Sequence, residues 1–383
     1  MQAVILAAGE GTRVRPLTRS RPKAMIPVAN RPMIDYVIES LTANGIRDIV
    51  VVVGYRREQV IRHLNQLEVP VRVVVQDRQL GTAHALSCAR DEISEDFILI
   101  PGDNYVDPES IARIRDLPDS MLVVEHPNPS EFGVVLIEDG RAVEVIEKPE
   151  ISPALTVSTG IFHLRPSIFS SLVEPDLTDT VAVMIREGCR LRSLYAHRWQ
   201  DAIHPWDYLH LNARLLEGIA PQKSGTISPT AVIRGPVSIG EGAEIGSHAS
   251  ITGPVVIGED AVIGPHTVVG PGTSIGARSR VEPFSYLGTS MIMDDAWIGS
   301  HSRITDTVMA EGCILADHTS VVPAARLVPT KRGPVSATFG AVLGEGVESA
   351  PFTVFSACIA GNNTEIRCGR TLRETLEDGT LVM

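Results

Sequence analysis

The stretch Leu6-Ala7-Ala8-Gly9-Glu10-Gly11-Thr12-Arg13 carries the residue types that handle phosphate, and it closes an apolar run over residues 3–8. With no side chain at positions 9 and 11, backbone N–H groups can approach phosphate oxygens closely. Arg13 adds a planar fork of donors suited to clamping the outer phosphates of a polyphosphate. More cations follow at Arg15, Arg19, Arg21 and Lys23. Of these, Arg19 and Arg21 read as solvated loop residues. The pattern is not the dinucleotide fingerprint, because Val14 stands where its third glycine would be. It is not a P-loop either, since no Gly-Lys-Ser/Thr follows.

The surrounding pattern says what positions these residues. Residues 3–8, 48–53, 71–76 and 97–101 are short aliphatic runs that read as buried strands. Between them, residues 32–44 and 58–67 repeat apolar positions at helical spacing, the first opening on Pro32 and closing at Gly45. This β-α alternation predicts a Rossmann-like α/β fold, a mostly parallel sheet with helices on both faces. Ligands of such sheets bind beyond the carboxyl ends of the strands. Residues 7–23, 76–82 and 102–104 fall on that rim.

The second half has a different period. From Ile227 an aliphatic residue recurs every six positions, through Ile233, Ile239, Ile245, Ile251 and onward to Leu287 and Met293. Neither a strand nor an α-helix alone has this period. A triangular coil with one short strand per side has it, so the repeat predicts a left-handed parallel β-helix of hexapeptides. After Met293 the register slips, and it weakens beyond Pro329. The expected domains are residues 1–220 and 221–383, with a helix over 206–219 joining them. Gly272-Thr273-Ser274-Ile275-Gly276 matches a hydrolase elbow, but it falls inside the coils and lacks the strand–turn–helix setting that motif needs.

A net charge of −12 argues against nucleic-acid or anionic-membrane partners. The five cysteines form no metal-ligand spacing and read as small buried hydrophobes of a reducing compartment. No run is long and apolar enough for a signal peptide or a membrane span, so a cytoplasmic protein is expected.

The longer pattern Gly9-x-Gly11-Thr12-Arg13-x-x-Pro16-Leu17-Thr18-x-x-x-Pro22-Lys23 resembles the opening of the sugar-1-phosphate nucleotidylyltransferase superfamily. The likeness continues at Gln76, Gln79-Leu80-Gly81-Thr82-Ala83-His84, Pro101-Gly102-Asp103, Glu131-Phe132-Gly133, Glu147-Lys148-Pro149 and Trp199-Gln200-Asp201. A head of this kind with a hexapeptide tail is similar to the archaeal-type bifunctional nucleotidylyltransferase/acetyltransferase branch. The resemblance implies transfer of a nucleotidyl group from a nucleoside triphosphate to a sugar 1-phosphate. The attack is in line at the α-phosphorus, and pyrophosphate leaves.

In that reading Leu6, Ala7, Ala8, Gly9, Gly11, Thr12, Gln76, Gly81 and Thr82 bind the nucleotide. Arg13, Lys23 and Lys148 neutralise phosphate charge in catalysis. Gly133, Glu147, Lys148 and Ser158 hold the sugar phosphate. Asp103 and Asp201 ligate Mg²⁺ through oxygen. Ala7-Ala8-Gly9 resembles the uridylyl-transferring branch, which favours UTP with glucose 1-phosphate or N-acetylglucosamine 1-phosphate. A dTTP-using glucose-1-phosphate thymidylyltransferase and a GTP-using mannose-1-phosphate guanylyltransferase are the alternatives.

Two positions in the head and four in the tail depart from the family pattern. Ile203 stands where a glycine follows the second metal aspartate, and Asp207 lies nearby as a rival carboxylate. Ser158 stands where sugar-binding relatives carry Asn. In the tail, His301 matches the acetyltransferase base, but Ile304, Pro323, Thr338 and Phe352 occupy its partners' places. Acetyl transfer and an acetyl-CoA cofactor are therefore not expected. The tail reads as a homo-oligomerisation module, trimeric or a multiple of it, or a regulatory one. A non-catalytic, sugar-nucleotide-sensing subunit is the rival from another class, opposed by the intact Arg13, Lys23, Asp103 and Lys148.

Overall fold

A computed structural model describes residues 1–172, 175–330 and 333–383. Contacts divide the chain into two compact units. The first comprises Met1–Glu10, Arg21–Met25 and Pro32–Asp201, and the second Gly11–Ser20, Ile26–Arg31 and Ala202–Met383.

The first unit is built on a nine-stranded sheet. Its strands are β1 (Gln2–Ala7), β2 (Asp48–Val53), β3 (Val71–Val75), β4 (Phe97–Pro101), β5 (Ser120–Glu125), β6 (Gly133–Glu138), β7 (Arg141–Glu147), β8 (Thr156–Leu164) and β9 (Arg192–Tyr195). They run in the order β3-β2-β1-β4-β8-β5-β9-β7-β6. The four strands read from the alternation, β3, β2, β1 and β4, are all mutually parallel. Beyond β4 the sheet turns mixed: β8 runs antiparallel to both β4 and β5, and β7 antiparallel to both β9 and β6. Short connections such as that between β6 and β7 need no crossover helix, so the aliphatic alternation alone could not announce them.

Helices cover both faces. Ala3, Ile5 and Ala7 of β1 pack with Ile34 and Val37 of α1 (Met33–Ala43), Val60 of α2 (Arg57–Leu64) and Ile111 of α4 (Pro108–Arg115). Val4 points the other way, toward Leu86 of α3 (Thr82–Cys88) and Val181 of α5 (Leu177–Arg186). The period of two sends alternate residues to opposite cores, and both cores are apolar. This is why the central strands read as continuous apolar runs.

The second unit holds three parallel sheets of nine, nine and eight short strands, stacked coil on coil into a β-helix. Val237 pairs with Val255 and Val255 with Thr273, a step of three hexapeptides. Ile275 pairs with Ile292, one residue short of that step. Ile292 therefore joins the aliphatic core column and Met293 does not, although the count of six pointed to Met293. The slip comes one residue earlier than the repeat suggested, because adjacent Ile and Met are equally apolar and only the ladder chooses between them. The weakening beyond Pro329 has a separate cause. Ala324–Thr330 and Gly333–Phe339 form an antiparallel pair inserted between coils, after which Ala341 resumes the stack on Thr307.

The β-helix strands begin at Gln222–Lys223, ahead of Ile227, the first residue of the hexapeptide count. The unit itself begins earlier, at Ala202, and includes α6 (Asp207–Leu216) and residues 11–20 and 26–31, so the boundary expected at 220 is displaced. Asn212 of α6 explains much of this. Fully buried, it accepts hydrogen bonds from the Ala29 amide at 2.8 Å and Ser274 Oγ at 2.9 Å, and donates to Gly272 O at 3.2 Å. A buried amide demands such partners, and these tie α6 and residue 29 to the coils. Ser274, the centre of the elbow-like motif, is wholly buried in this contact.

Cys313 and Cys358 lie in the β-helix core, where burial pushes both thiols up to about 12. Cys88, Cys189 and Cys368 are half-buried, and all five are free.

Candidate active site

An antiparallel ribbon brings distant carboxylates together. Trp199–Gln200 pairs with Tyr105–Val106, Gln200 opposite Tyr105. Asp103 precedes one strand of the ribbon and Asp201 follows the other, so the pairing delivers both to the same end. Lys23, opening a short 3₁₀ turn, reaches between them: its Nζ lies 2.8 Å from Asp103 Oδ2 and 2.7 Å from Asp201 Oδ1. All three side chains are largely buried. Two carboxylates held this close repel unless a cation lies between them, and here the ammonium supplies it.

The donors that converge are carboxylate oxygens, the hard set that Mg²⁺ takes. Asp207, the rival carboxylate, is engaged elsewhere. Its Oδ2 accepts from the amides of Ile203 at 3.0 Å and His204 at 2.8 Å, fastening the turn that leads into α6. Ile203, in the place of the family glycine, is buried in that turn.

A second cluster contains the residues assigned to the sugar phosphate. Lys148 donates to Glu147 Oε1, and Gly133 lies against Glu147 and Thr178. Lys148 holds a left-handed backbone (φ 41), uncommon for a residue with a side chain, while its amide bonds to Phe132 O at 3.0 Å. The Phe132 ring meets Trp199 edge to face at 5.6 Å. The Lys148 segment is thus tied to the segment that carries Asp201. Ser158 Oγ is turned to its own backbone, accepting from the Gly160 amide at 3.2 Å.

The residues of the first unit assigned from the sequence to the nucleotide surround the ends of β1, β2 and β3. Leu6 O accepts from the Gly102 amide at 2.9 Å and Ala8 O from the Tyr55 amide at 3.0 Å, so residues 6–9 run between the ends of β4 and β2. Gly54 permits this approach, since a Cβ there would come within 2.8 Å of Ala8 O. Gln76 is buried against Gly81 and His84. Thr82 Oγ1 accepts from the Leu177 amide at 2.8 Å. Gly81 has φ 124, and a side chain there would collide with Pro175 O.

Gly11, Thr12 and Arg13 fall in the second unit. Gly11 is left-handed (φ 67) and starts the 3₁₀ turn Thr12–Val14. Its carbonyl accepts from the Val14 amide at 3.0 Å and from Thr18 Oγ1 at 2.8 Å. Thr12 and Arg13 are exposed on that turn. The solvated reading needs correction for Arg21, which is buried at 8 % exposure; Arg19 remains partly exposed, its Nε paired with Asp378 at 3.1 Å.

Gly54 was not singled out from the sequence, and Asn104 was placed on the ligand rim without a role of its own. Asn104 is buried and its Nδ2 donates to Thr159 O at 3.3 Å, linking the loop after β4 to β8. The ending of an aliphatic run on Gly was the only available signal for the first, and a polar residue next to Asp103 for the second.

His301 stands in a column of rings at one corner of the β-helix: His248, His266, Phe284, His301, His318 and Phe352. It is sandwiched at 5.1 Å by Phe284 and at 5.0 Å by His318. A further acidic group, Asp107, Glu109 and His197, lies around the start of α4. Asp107 is held below the usual carboxylate range. Burial pushes it up, but hydrogen bonds from Ser110, His197 and the Arg198 amide outweigh that. No helix among the described residues is long and apolar enough to cross a membrane.

Residues 2–217 match the nucleotidyl transferase family, and residues 251–369 match the GMPPB C-terminal domain. The chain belongs to the nucleotidyl transferase family. It is 30% identical to the bifunctional protein GlmU of Methanocaldococcus jannaschii, over 100% of this chain and 97% of that one. It is 37% identical to the UTP–glucose-1-phosphate uridylyltransferase AglF of Haloferax volcanii, over 57% of this chain and 97% of that protein. Against GlmU of Methanococcus maripaludis the match spans 61% of the relative's length. Among solved structures, a putative glucose-1-phosphate thymidylyltransferase from Bacillus anthracis shares 26% identity at a TM-score of 0.53, over 58% of this chain and 98% of that one.

Proposed function

We propose that this protein joins a nucleoside triphosphate to a sugar 1-phosphate and releases pyrophosphate. The observation that carries the reading is the convergence of Asp103 and Asp201 on Lys23 Nζ. No covalent enzyme nucleophile is needed for such a transfer; it requires positioning and neutralisation of charge on phosphate oxygens. Arg13 holds the leaving pyrophosphate, Lys23 spans the α-phosphate and pyrophosphate, and Lys148 draws in the attacking sugar phosphate. Glu147, Gly133 and Ser158 receive the sugar. Residues 6–9, Gly11, Thr12, Gln76, Gly81 and Thr82 receive the nucleotide. Asp103 and Asp201 hold Mg²⁺, which when bound supplies further neutralisation of phosphate charge.

UTP is the favoured triphosphate, with glucose 1-phosphate or N-acetylglucosamine 1-phosphate as acceptor. The similarity to AglF supports that choice. The β-helix serves self-association of the chain, in the cytoplasm, and the ring-stacked setting of His301 favours a structural role there over acetyl transfer. The test is pyrophosphate release with Mg²⁺ across UTP, dTTP, GTP and CTP, each against glucose, N-acetylglucosamine, glucosamine and mannose 1-phosphates. Release with one pair names the substrates. No release from any pair by folded protein would favour the sensing-subunit reading.

A further inference from the structure

Gln76 is 3 % exposed, yet only one end of its amide is engaged. Nε2 donates to Gly81 O at 3.0 Å and lies 2.9 Å from Nδ1 of His84. An amide nitrogen has two hydrogens to give and accepts nothing. A backbone carbonyl only accepts, so the Gly81 contact identifies the amide atom there as the nitrogen. The second hydrogen then goes to His84, whose Nδ1 must be the bare ring nitrogen with the proton on Nε2. Oε1 has no partner among the described residues and is not sealed from solvent. A nearly buried side chain therefore presents one acceptor outward and no donor.

We infer that His84 is a positioning residue: it locks the Gln76 amide with its oxygen outward and so selects bases that present a ring N–H. Uracil, thymine and guanine have this donor at the edge concerned. Cytosine and adenine have a bare ring nitrogen there, and acceptor would face acceptor. A site built around one hydrogen bond rejects such partners strongly, because both buried groups are left unpaired. The inference rests on the assignment of Gln76 to the nucleotide made above. It adds which bases are admitted and names the residue that enforces the choice through Gln76. Without His84 the amide is held by the Gly81 contact alone, and the whole group can turn about its last bond and bring an N–H toward an acceptor on the base.

The experiment is calorimetric titration of the full-length protein with UTP and with CTP, beside the turnover assay. Wild type is expected to bind UTP in preference to CTP. His84→Ala and His84→Phe should each shrink that preference by roughly tenfold, the worth of one such hydrogen bond. The phenyl ring keeps the packing while removing the acceptor, which guards against a variant that fails to fold. His84→Asn, whose carbonyl oxygen can stand near the place of Nδ1, should restore the preference.

Equal loss of UTP and CTP affinity in the Ala and Phe variants would reduce His84 to a packing residue and overturn the inference, as would wild type binding CTP as tightly as UTP. Binding of UTP over CTP without pyrophosphate release from any sugar phosphate would sink the proposed reaction and leave the amide lock standing. Turnover of CTP as readily as UTP would do the reverse. Absence of any nucleotide binding would overturn both.

Discussion

Lys23 and Asp201 lie 178 positions apart in sequence and 2.7 Å apart at Nζ and Oδ1. The same ammonium meets Asp103 at 2.8 Å, so one cation joins the start of the chain to both arms of the Tyr105–Trp199 ribbon. In the proposed reaction the Lys23 ammonium and the two carboxylates serve opposite halves of one charge arrangement. Phosphate claims the cation, and Mg²⁺ claims the acids.

Removing any member should therefore cost turnover far more than stability. Asp103→Asn and Lys23→Ala are each expected to lower pyrophosphate release by roughly 10²-fold or more. Chelation of Mg²⁺ should abolish it, with the melting temperature moved by only a few degrees. Steady-state kinetics beside a thermal melt checks this, and near-wild-type rates in either variant would contradict it.

Asp201 and Asp207 should separate cleanly. Asp201→Asn is expected to impair turnover. Asp207→Ala removes the acceptor for two backbone amides and should instead destabilise the fold by about 1 kcal/mol, leaving kcat within a few-fold of wild type. Urea unfolding together with rate measurement distinguishes them. The converse pattern would mean that the wrong aspartate has been assigned to the metal.

Asn212→Leu should be among the most damaging single changes outside the site. It strands the Ala29 amide and the Gly272 carbonyl and leaves Ser274 Oγ without its acceptor. A cost of about 2–4 kcal/mol is expected from unsatisfied buried groups, together with faster hydrogen exchange at residues 26–31. Unchanged exchange in that segment would show that other contacts hold it.

Asp107 predicts an acid-sensitive region. Its carboxyl titrates lower when folded than when unfolded. The stability it contributes is thus present above its unfolded pKa, near 4 for an ordinary aspartate, and is lost as pH falls through the lower folded value. Asp107→Asn should flatten the loss of stability below about pH 4. Denaturant midpoints measured between about pH 3 and 7 test this, and parallel curves for variant and wild type would refute it.

Local chemistry and period were enough to determine several things about this protein. The aliphatic runs and their helical spacers specified β1 to β4 and α1, because buried parallel strands need an apolar residue at nearly every position. The hexapeptide period specified the β-helix, because no other regular structure repeats every six residues. The spacing from Gly9 to Lys23, with the Pro-Gly-Asp ending at Asp103, marked through resemblance the residues proposed to handle phosphate.

Pairing across long sequence separations was left to the tertiary structure. It decided that Asp201 and not Asp207 meets Lys23, because an antiparallel ribbon brings together residues that no local pattern links. It chose Ile292 over Met293, because only the neighbouring coil tells which of two adjacent apolar residues points inward. It buried Arg21, which the sequence left among solvated cations. It also turned the Gln76 amide, since a glutamine carries donor and acceptor alike and its environment alone decides which one is presented.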